Sequence, residues 1–344
     1  MQHDADPMNL PTIGILVLNR NGNAWLPTIY DSLRAQDYPN LRTYLVDNGS
    51  EDKSVDMTCK GYPEVTVLRL PRNLGYCMAY NVTMPYAFAD GCDWVIWANN
   101  DVLLEPGCLL ALAETALCDS AIGVVGPAFF AWDCDEPNYY IVGNYPHVIP
   151  AMRRRSPMPL DVDWVEGSFL MVSRQCAEQT GPLDPYLFFY WEETDFCRRA
   201  RHQGWRVVLA PAALARHYAG GWSKADQQNR QTANRLQSRN FYIYKFADPF
   251  TGFARNAIKA LHAFVYNIRT HLFRTPSVAM FHGQVFAGLL REIATVYRKW
   301  RRDSRHEHPP LLTGNVGEVK VEVLAGKGES YLTPEKNAQG VASC

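Results

Sequence analysis

Four short apolar runs in the first hundred residues are each followed by a cluster of polar side chains. Segments with helical periodicity separate the runs, and strands that alternate with helices predict βαβ units in a mostly parallel sheet. Because the carboxyl ends of parallel strands form one edge, we expect the polar clusters to meet there as a ligand site. The runs cover residues 13–18, 41–46, 65–70 and 93–98.

The pattern is less regular in the second hundred residues. Residues 121–165 are rich in Gly, Pro and aromatic residues, which predicts an irregular region. Strands are predicted at 165–172 and 207–210. A helix is predicted at 192–203, because acids open the segment and a glycine follows it.

Beyond residue 235 the periodicity becomes helical, which divides the chain into three parts. Residues 1–235 are predicted to be an α/β domain. Residues 236–305 carry two amphipathic stripes with basic flanks, and residues 306–344 are polar and expected to be disordered. Between residues 230 and 305 there are 14 Lys and Arg against three acids, so this part could lie on an acidic membrane surface. The alternative is that it packs against the catalytic domain or another subunit.

Composition narrows the class of protein. The chain has 344 residues, 47% of them hydrophobic, and a net charge of −1, which gives no argument for nucleic-acid binding. No apolar run is long enough to span a membrane, and the start does not resemble a secretory signal. Nine cysteines without a Cys-x-x-Cys pair predict reduced thiols in a cytoplasmic protein, with a peripheral position at the inner face of the membrane as an alternative.

Six polar motifs lie at the ends of predicted elements, and their order resembles that of family 2 glycosyltransferases. The resemblance covers about residues 10–245 and is closest to the rhamnosyltransferase-like branch that builds bacterial surface polysaccharides, O-antigen among them. It implies the GT-A fold, Rossmann-like, with a donor half at about 10–120, an acceptor half at about 121–235 and a C-terminal helical extension. The motifs are Leu18-Asn-Arg20, Val46-Asp-Asn-Gly-Ser-Glu-Asp52, Arg72-Asn-Leu-Gly75, Asn99-Asn-Asp101, Trp191-Glu-Glu-Thr-Asp195 and His217-x-x-Gly-x-x-Ser223.

The resemblance implies a donor site for a nucleotide diphosphate sugar. Asp47 would accept a hydrogen bond from the ring N–H of a uracil or thymine base, which suits a group that only accepts. Trp222 and Ser223 would belong to a loop that closes on the diphosphate. The implied donor-binding residues are Asn19, Arg20, Asp47, Arg72, Asn73, Asn81, Asn99, Asn100, Trp222 and Ser223.

The resemblance also implies a divalent cation. Asp101 would hold Mg²⁺ or Mn²⁺ against the diphosphate, because hard cations prefer carboxylate oxygens. His217 would be a second ligand, and its imidazole suits Mn²⁺ better than Mg²⁺. Asn99 and Asn100 stand where the family often has acids.

Glu193 is the implied catalytic base, which would deprotonate the acceptor hydroxyl during an inverting transfer. Asp195 is the alternative base. The aromatic residues before the acidic pair would hold a sugar ring. The implied acceptor-binding residues are Glu166, Gly167, Trp191 and Glu192.

The sequence therefore predicts inverting, metal-dependent transfer of L-rhamnose from dTDP-rhamnose to a glycan or lipid-linked acceptor. A UDP-sugar donor, a sugar nucleotidyltransferase and a non-catalytic sugar-binding scaffold remain alternatives. Nucleic acid is not an expected partner, and the oligomeric state is left open.

Overall fold

The computed structural model describes residues 10–185, 187, 190–218, 246 and 319–324. These residues fall into two compact units, the first made of 10–183, 192–218 and 319–324, the second of the described residues between 184 and 191 together with residue 246. The predicted loop residues Trp222 and Ser223, and the predicted helical region 236–305 apart from residue 246, lie outside the described residues.

Parallel strands form the first half of the sheet, in the spatial order β3-β2-β1-β4. The predicted alternation of strands and helices is confirmed here, with boundaries that differ by one residue at most strand ends. The strands are β1 (Ile13–Asn19), β2 (Leu41–Asp47), β3 (Thr66–Arg69) and β4 (Trp94–Asn99), and the helices are α1 (Leu26–Arg34), α2 (Ser54–Gly61) and α3 (Gly75–Ala89).

The register of these strands places their polar ends side by side. Asn19 at the end of β1 pairs with Asp47 at the end of β2, and Leu18 pairs with Asn99 at the end of β4. The interiors of β1 and β4 are almost wholly buried, so apolar residues cover both faces of the sheet there. In these two strands the first polar positions therefore come at the carboxyl edge, where ligands bind in open α/β sheets.

The second half of the sheet is mixed. β8 is antiparallel to both β4 and β6, whereas β6 and β9 are parallel, and β5 and β7 are antiparallel to β9. The expected α/β sheet with flanking helices is confirmed, and the parallel pairing is concentrated in the first half. The elements are β5 (Val102–Leu104), α4 (Cys108–Leu117), β6 (Ile122–Phe130), α5 (Tyr139–Asn144), a 3₁₀ turn (Pro146–Val148), α6 (Ile149–Arg153), β7 (Leu160–Asp161), β8 (Phe169–Ser173), α7 (Arg174–Thr180), α8 (Glu192–His202) and β9 (Arg206–His217).

Strand β6 contradicts the irregular structure predicted for 121–165. In isolation its glycines indicate turns, but in the fold they allow close packing. A Cβ at Gly126 would lie 2.5 Å from Val165, and one at Gly123 would lie 2.7 Å from Cys176 Sγ. Pro127 lies beside a shift in the β6–β9 register, which is a position where a strand tolerates proline.

Two further strands extend beyond the prediction. β9 does not stop at Pro211 but continues to His217, with the same register shift against β6. β10 (Glu322–Leu324) comes from the part of the tail expected to be disordered and pairs antiparallel with β3. An edge strand that is paired no longer exposes free backbone groups.

The second unit contributes little described structure. A turn at Asp184 is closed by the backbone N–H of Leu187, which donates to the Asp184 carbonyl at 3.0 Å. Tyr190 and Trp191 both have positive φ, 74° and 73°. Within the described parts of the two units, no helix is both long enough and apolar enough to cross a membrane.

Candidate active site

Asp101 and His217, predicted from distant parts of the sequence, lie side by side. Asp101 directly precedes β5, and the antiparallel pairing of β5 with β9 sets Val102 opposite His217. The backbone N–H of Tyr218 donates to the Asp101 carbonyl at 3.1 Å, which extends the pairing to Asp101 itself. His217 Nε2 lies 3.2 Å from Asp101 Oδ1, and both side chains are largely buried.

Glu166 lies on the other side of the same imidazole ring. Its Oε1 is 2.7 Å from His217 Nδ1, so the ring is held between two carboxylates. Burial opposes a charge on the ring, but the hydrogen bonds with Asp101 and Glu166 outweigh it and raise the pKa of His217 from 6.5 to about 10. At neutral pH the ring is therefore positively charged and donates one hydrogen bond to each carboxylate.

The Asp101 and His217 pair fits a divalent cation. Two neighbouring ligands of an octahedral ion lie about 3 Å apart, since each lies about 2.1 Å from the metal. The observed 3.2 Å separation of Nε2 and Oδ1 matches that geometry. Across the described ranges, no group of three or more His, Cys, Asp or Glu side chains is arranged to hold a metal. The pair therefore suits an ion that takes its other ligands from phosphate and water.

Glu193 lies next to the loop that carries Glu166. A Cβ built on Gly167 would come within 3.2 Å of Glu193 Cβ, so the missing side chain of Gly167 lets helix α8 approach this loop. Burial raises the pKa of Tyr140, and the charges of Glu193 and Glu166 raise it further, which places both carboxylates near one phenol. The structure thus brings the predicted base and the predicted cation ligands to one site.

The two neighbouring acids on α8 have different environments. Glu192 is 4% exposed, whereas Glu193 is partly exposed. Burial raises the pKa of Glu192 well above 4.5, and the charge of Glu193 raises it further. Asp195 is fully buried and accepts a hydrogen bond from Arg199 at 2.8 Å. Of the three acids, Glu193 is the one with the exposure that a base needs.

Asp47 is fully buried at the end of β2, directly below the turn that follows it. Its Oδ1 accepts a hydrogen bond from the Ser50 backbone N–H at 3.3 Å, and its Oδ2 has no hydrogen-bond partner among the described residues. Arg69 Nε is the nearest cationic group, 3.8 Å from Oδ2. Burial raises the pKa of Asp47, which outweighs the opposing hydrogen bonds to Ser50. Oδ2 therefore keeps an unused acceptor position at the carboxyl edge of the sheet.

The predicted donor-side amides form a network at the same edge. Asn100 donates to Asn19 Oδ1 at 2.7 Å, and Asn19 donates to the Ser50 hydroxyl at 3.2 Å. A Cβ at Gly22 would overlap both amides, so any side chain there would displace this network. Asn99 ends β4 and is partly exposed, and Arg20 is exposed beside this network.

Asn73 and Asn81 are engaged with the protein itself. Asn73 Oδ1 accepts from Asn48 and from the Gly75 backbone N–H, which fixes the start of α3. Asn81 makes two hydrogen bonds of 2.8 Å to the backbone of Leu183. Arg72 is exposed, with its backbone packed on Gly49.

Comparison with known proteins identifies a family to which the first half of the chain is similar. Residues 12–175 match the profile described as glycosyl transferase family 2. Residues 12–175 therefore form a family 2 glycosyltransferase domain. The match runs from the start of β1 into α7, so it includes the donor-side strands, Asp101 and the loop of Glu166.

Sequence relatives of this glycosyltransferase include rhamnosyltransferases. An N-acetylglucosaminyl-diphospho-decaprenol L-rhamnosyltransferase of Mycobacterium tuberculosis is 29% identical over 66% of this chain and 81% of its own length. A dTDP-rhamnosyl transferase, RfbF of Shigella flexneri, is 25% identical over 53% of this chain and 61% of its own length.

Solved structures of similar fold are more distant in sequence. The mannosyltransferase PcManGT from Pyrobaculum calidifontis, in complex with GDP-Man and Mn²⁺, aligns with a TM-score of 0.53 at 16% identity, over 88% of this chain and 83% of that chain. GalNAc-T7 with UDP, GalNAc and Mn²⁺ aligns with a TM-score of 0.56 at 15% identity, over 90% of this chain and 60% of that chain. These alignments support the GT-A fold of the transferase.

Three residues of the transferase site were not found from the sequence. Tyr76 donates to the Gly167 carbonyl at 2.6 Å and so fixes the loop beside Glu193. Tyr140 has a buried hydroxyl with no hydrogen-bond partner among the described residues. Asn138 donates to Glu166 at 3.1 Å. Tyr140 and Asn138 lie within the region predicted to be irregular, where no periodicity singled them out.

Proposed function

We propose that this glycosyltransferase transfers L-rhamnose, with inversion, from dTDP-rhamnose to a hydroxyl of a lipid-linked glycan, using Mg²⁺ or Mn²⁺. The observation that carries the proposal is the meeting of Asp101 and His217 at the carboxyl edge of the sheet, with Glu193 beside the adjoining loop. The relatives named as rhamnosyltransferases, one of them specific for a decaprenol-linked acceptor by its name, support the choice of sugar and acceptor.

The donor nucleotide would lie over the ends of β1 and β2. Asp47 Oδ2 would accept the ring N–H of thymine, and this contact would satisfy an acceptor atom that has no hydrogen-bond partner among the described residues. Arg72 is exposed at the adjoining loop, where its guanidinium could reach the base or the diphosphate. Uracil presents the same N–H, so a UDP-sugar is the alternative donor.

Asp101 and His217 would hold the cation, which when bound offsets the negative charge that develops on the departing diphosphate. For its part, His217 must offer the Nε2 lone pair, so its proton at that nitrogen has to leave. The low exposure of Asp101 and His217 excludes water and strengthens the electrostatic interactions between them.

Glu193 would act as the base. The acceptor O–H proton passes to the Glu193 carboxylate while the acceptor oxygen forms a bond to the anomeric carbon. The bond from that carbon to the diphosphate oxygen breaks, and its electron pair leaves with dTDP. Attack opposite the leaving group inverts the configuration.

Turnover of dTDP-rhamnose with a polyprenyl-diphosphate N-acetylglucosamine acceptor tests the proposal. We expect Glu193→Gln and Asp101→Ala each to lower kcat by at least about 100-fold, because each removes a group that acts in the transition state. Glu178→Gln, an exposed change on α7, is the matched control and should keep full activity. Full activity of both site variants would refute the assigned roles, and turnover of UDP-sugars alone would correct the donor.

A further inference from the structure

Both carboxylate oxygens of Glu166 make hydrogen bonds within the protein. Its Oε1 is 2.7 Å from His217 Nδ1 and also accepts from the Ser168 hydroxyl at 2.9 Å. Its Oε2 accepts from Asn138 Nδ2 at 3.1 Å. The side chain is only 11% exposed, so little water competes with the protein donors for these oxygens.

Asn138, which donates to Glu166, is itself held in place by helix α5. Asn138 caps the N-terminus of α5, where its Oδ1 accepts from the Ile141 backbone N–H at 3.0 Å. Asn138 is 6% exposed, and using Oδ1 for the cap leaves its Nδ2 to point at Glu166. Because the cap fixes which way the amide faces, Glu166 cannot turn away from His217 without losing a hydrogen bond.

We infer that Glu166 is a positioning residue for His217, holding the Nδ1–H so that the Nε2 lone pair faces the cation shared with Asp101. This role rests on the proposed function, and it replaces the contact with acceptor expected from the sequence. Asn138 supports it from behind.

The physical reason lies in the two tautomers of a neutral imidazole. Only one ring nitrogen carries hydrogen, and the hydrogen bond made by the other nitrogen decides which one it is. A carboxylate at Nδ1 fixes the hydrogen there and leaves Nε2 free to bind a metal. Without Glu166, His217 could adopt the wrong tautomer or rotate away from Asp101, and either change would weaken cation binding.

The tripeptide Glu166-Gly167-Ser168 also joins the two halves of the site. Glu166 orients His217, Ser168 donates to Glu166, and Gly167 gives room to Glu193. The Ser168 carbonyl accepts from the Asn99 backbone N–H at 2.8 Å, which ties this loop to the end of β4. The orientation of His217 and the position of Glu193 therefore depend on one short loop.

The test measures Mn²⁺ affinity in the presence of dTDP, from the electron paramagnetic resonance signal of free Mn²⁺. We expect Glu166→Ala to weaken Mn²⁺ binding about 10- to 100-fold, which is the usual effect of removing a carboxylate behind a histidine ligand. Glu166→Gln should weaken Mn²⁺ binding less, by about 3- to 10-fold, because the amide carbonyl of glutamine still accepts a hydrogen bond from Nδ1. This partial rescue is not expected of a residue that only supports the fold.

The control is Glu136→Ala, which removes an exposed carboxylate that pairs with Arg153. It should leave Mn²⁺ affinity unchanged. Binding of dTDP without Mn²⁺ should be the same in all variants, which separates loss of the cation site from general disruption. If Glu166→Ala does not fold, the comparison of Glu166→Gln with wild type decides the question.

The outcomes separate this inference from the proposed function. Wild-type Mn²⁺ affinity in both Glu166 variants, with binding lost in Asp101→Ala and His217→Ala, would overturn the role of Glu166 and leave the proposed cation site standing. Equal losses in Glu166→Ala and Glu166→Gln would also overturn it. Unchanged Mn²⁺ binding in Asp101→Ala and His217→Ala would overturn both.

Discussion

Glu192 is a buried carboxyl whose replacement by glutamine should stabilise the protein. It is 4% exposed, and its Oε2 has no hydrogen-bond partner among the described residues. Its pKa is raised well above 4.5, by burial first and by the charge of Glu193 second. Glutamine has the same shape and no charge, so it reproduces the protonated form that the fold favours.

The magnitude follows from proton linkage. Because the folded-state pKa is raised, the stability contributed by Glu192 is fully present below pH 4.5 and is lost as the pH rises through the folded-state pKa. As long as the carboxyl stays protonated in the fold, each pH unit above 4.5 costs about 1.4 kcal/mol. Glu192→Gln removes this cost.

Urea unfolding at pH 5, 6 and 7 measures the effect. The free energies of unfolding of wild type and Glu192→Gln should be close at pH 5 and should separate progressively in favour of the variant up to pH 7. Glu178→Gln, on the exposed surface of α7, should follow wild type throughout. If the free energy of unfolding depends on pH in the same way in wild type and Glu192→Gln, then burial does not disfavour the charged form of Glu192 and the prediction is wrong.

Three further changes test other parts of the structure. Asp195→Ala should lower the free energy of unfolding by about 3–5 kcal/mol in urea titrations, since it removes the carboxylate partner of the Arg199 guanidinium, which is only 10% exposed. A loss below about 1 kcal/mol would contradict the importance of this ion pair. Gly49→Ala should cost about 1–3 kcal/mol and weaken dTDP binding measured by calorimetry, because φ is +72° and the new Cβ would lie 2.7 Å from the Arg72 backbone. Gly167→Ala should lower kcat about 10- to 100-fold with little change in melting temperature, because its Cβ would press on Glu193, and unchanged kcat would argue against Glu193 as base.

Much of the first half of the fold was accessible from the sequence because its strands are buried on both faces. The continuous apolar run at 13–18 predicts a strand because it is short and Asn19 ends it abruptly. The same abrupt ends located Asp47 and Asp101, since position at a strand end depends only on local pattern. The motif resemblance then linked them to His217.

The second half was harder because packing, rather than local pattern, explains its residues. Gly126 and Pro127 signal a turn in isolation, and only contact with Val165 and the register with β9 account for them inside a strand. β10 is three residues long, so its formation depends on the open edge of β3. Glu192 is buried and Glu193 is partly exposed because different sides of α8 face the core. Two identical neighbouring residues in the sequence do not show which of them will be buried.

Diffraction from crystals grown with MnCl₂ and dTDP, with data collected at the manganese absorption edge, would locate the bound cation. We expect one strong anomalous peak within about 2.3 Å of both Asp101 Oδ1 and His217 Nε2, with Glu166 still hydrogen-bonded to Nδ1. A peak that contacts neither side chain, or crystals with dTDP bound and no peak near these side chains, would contradict the proposed cation site.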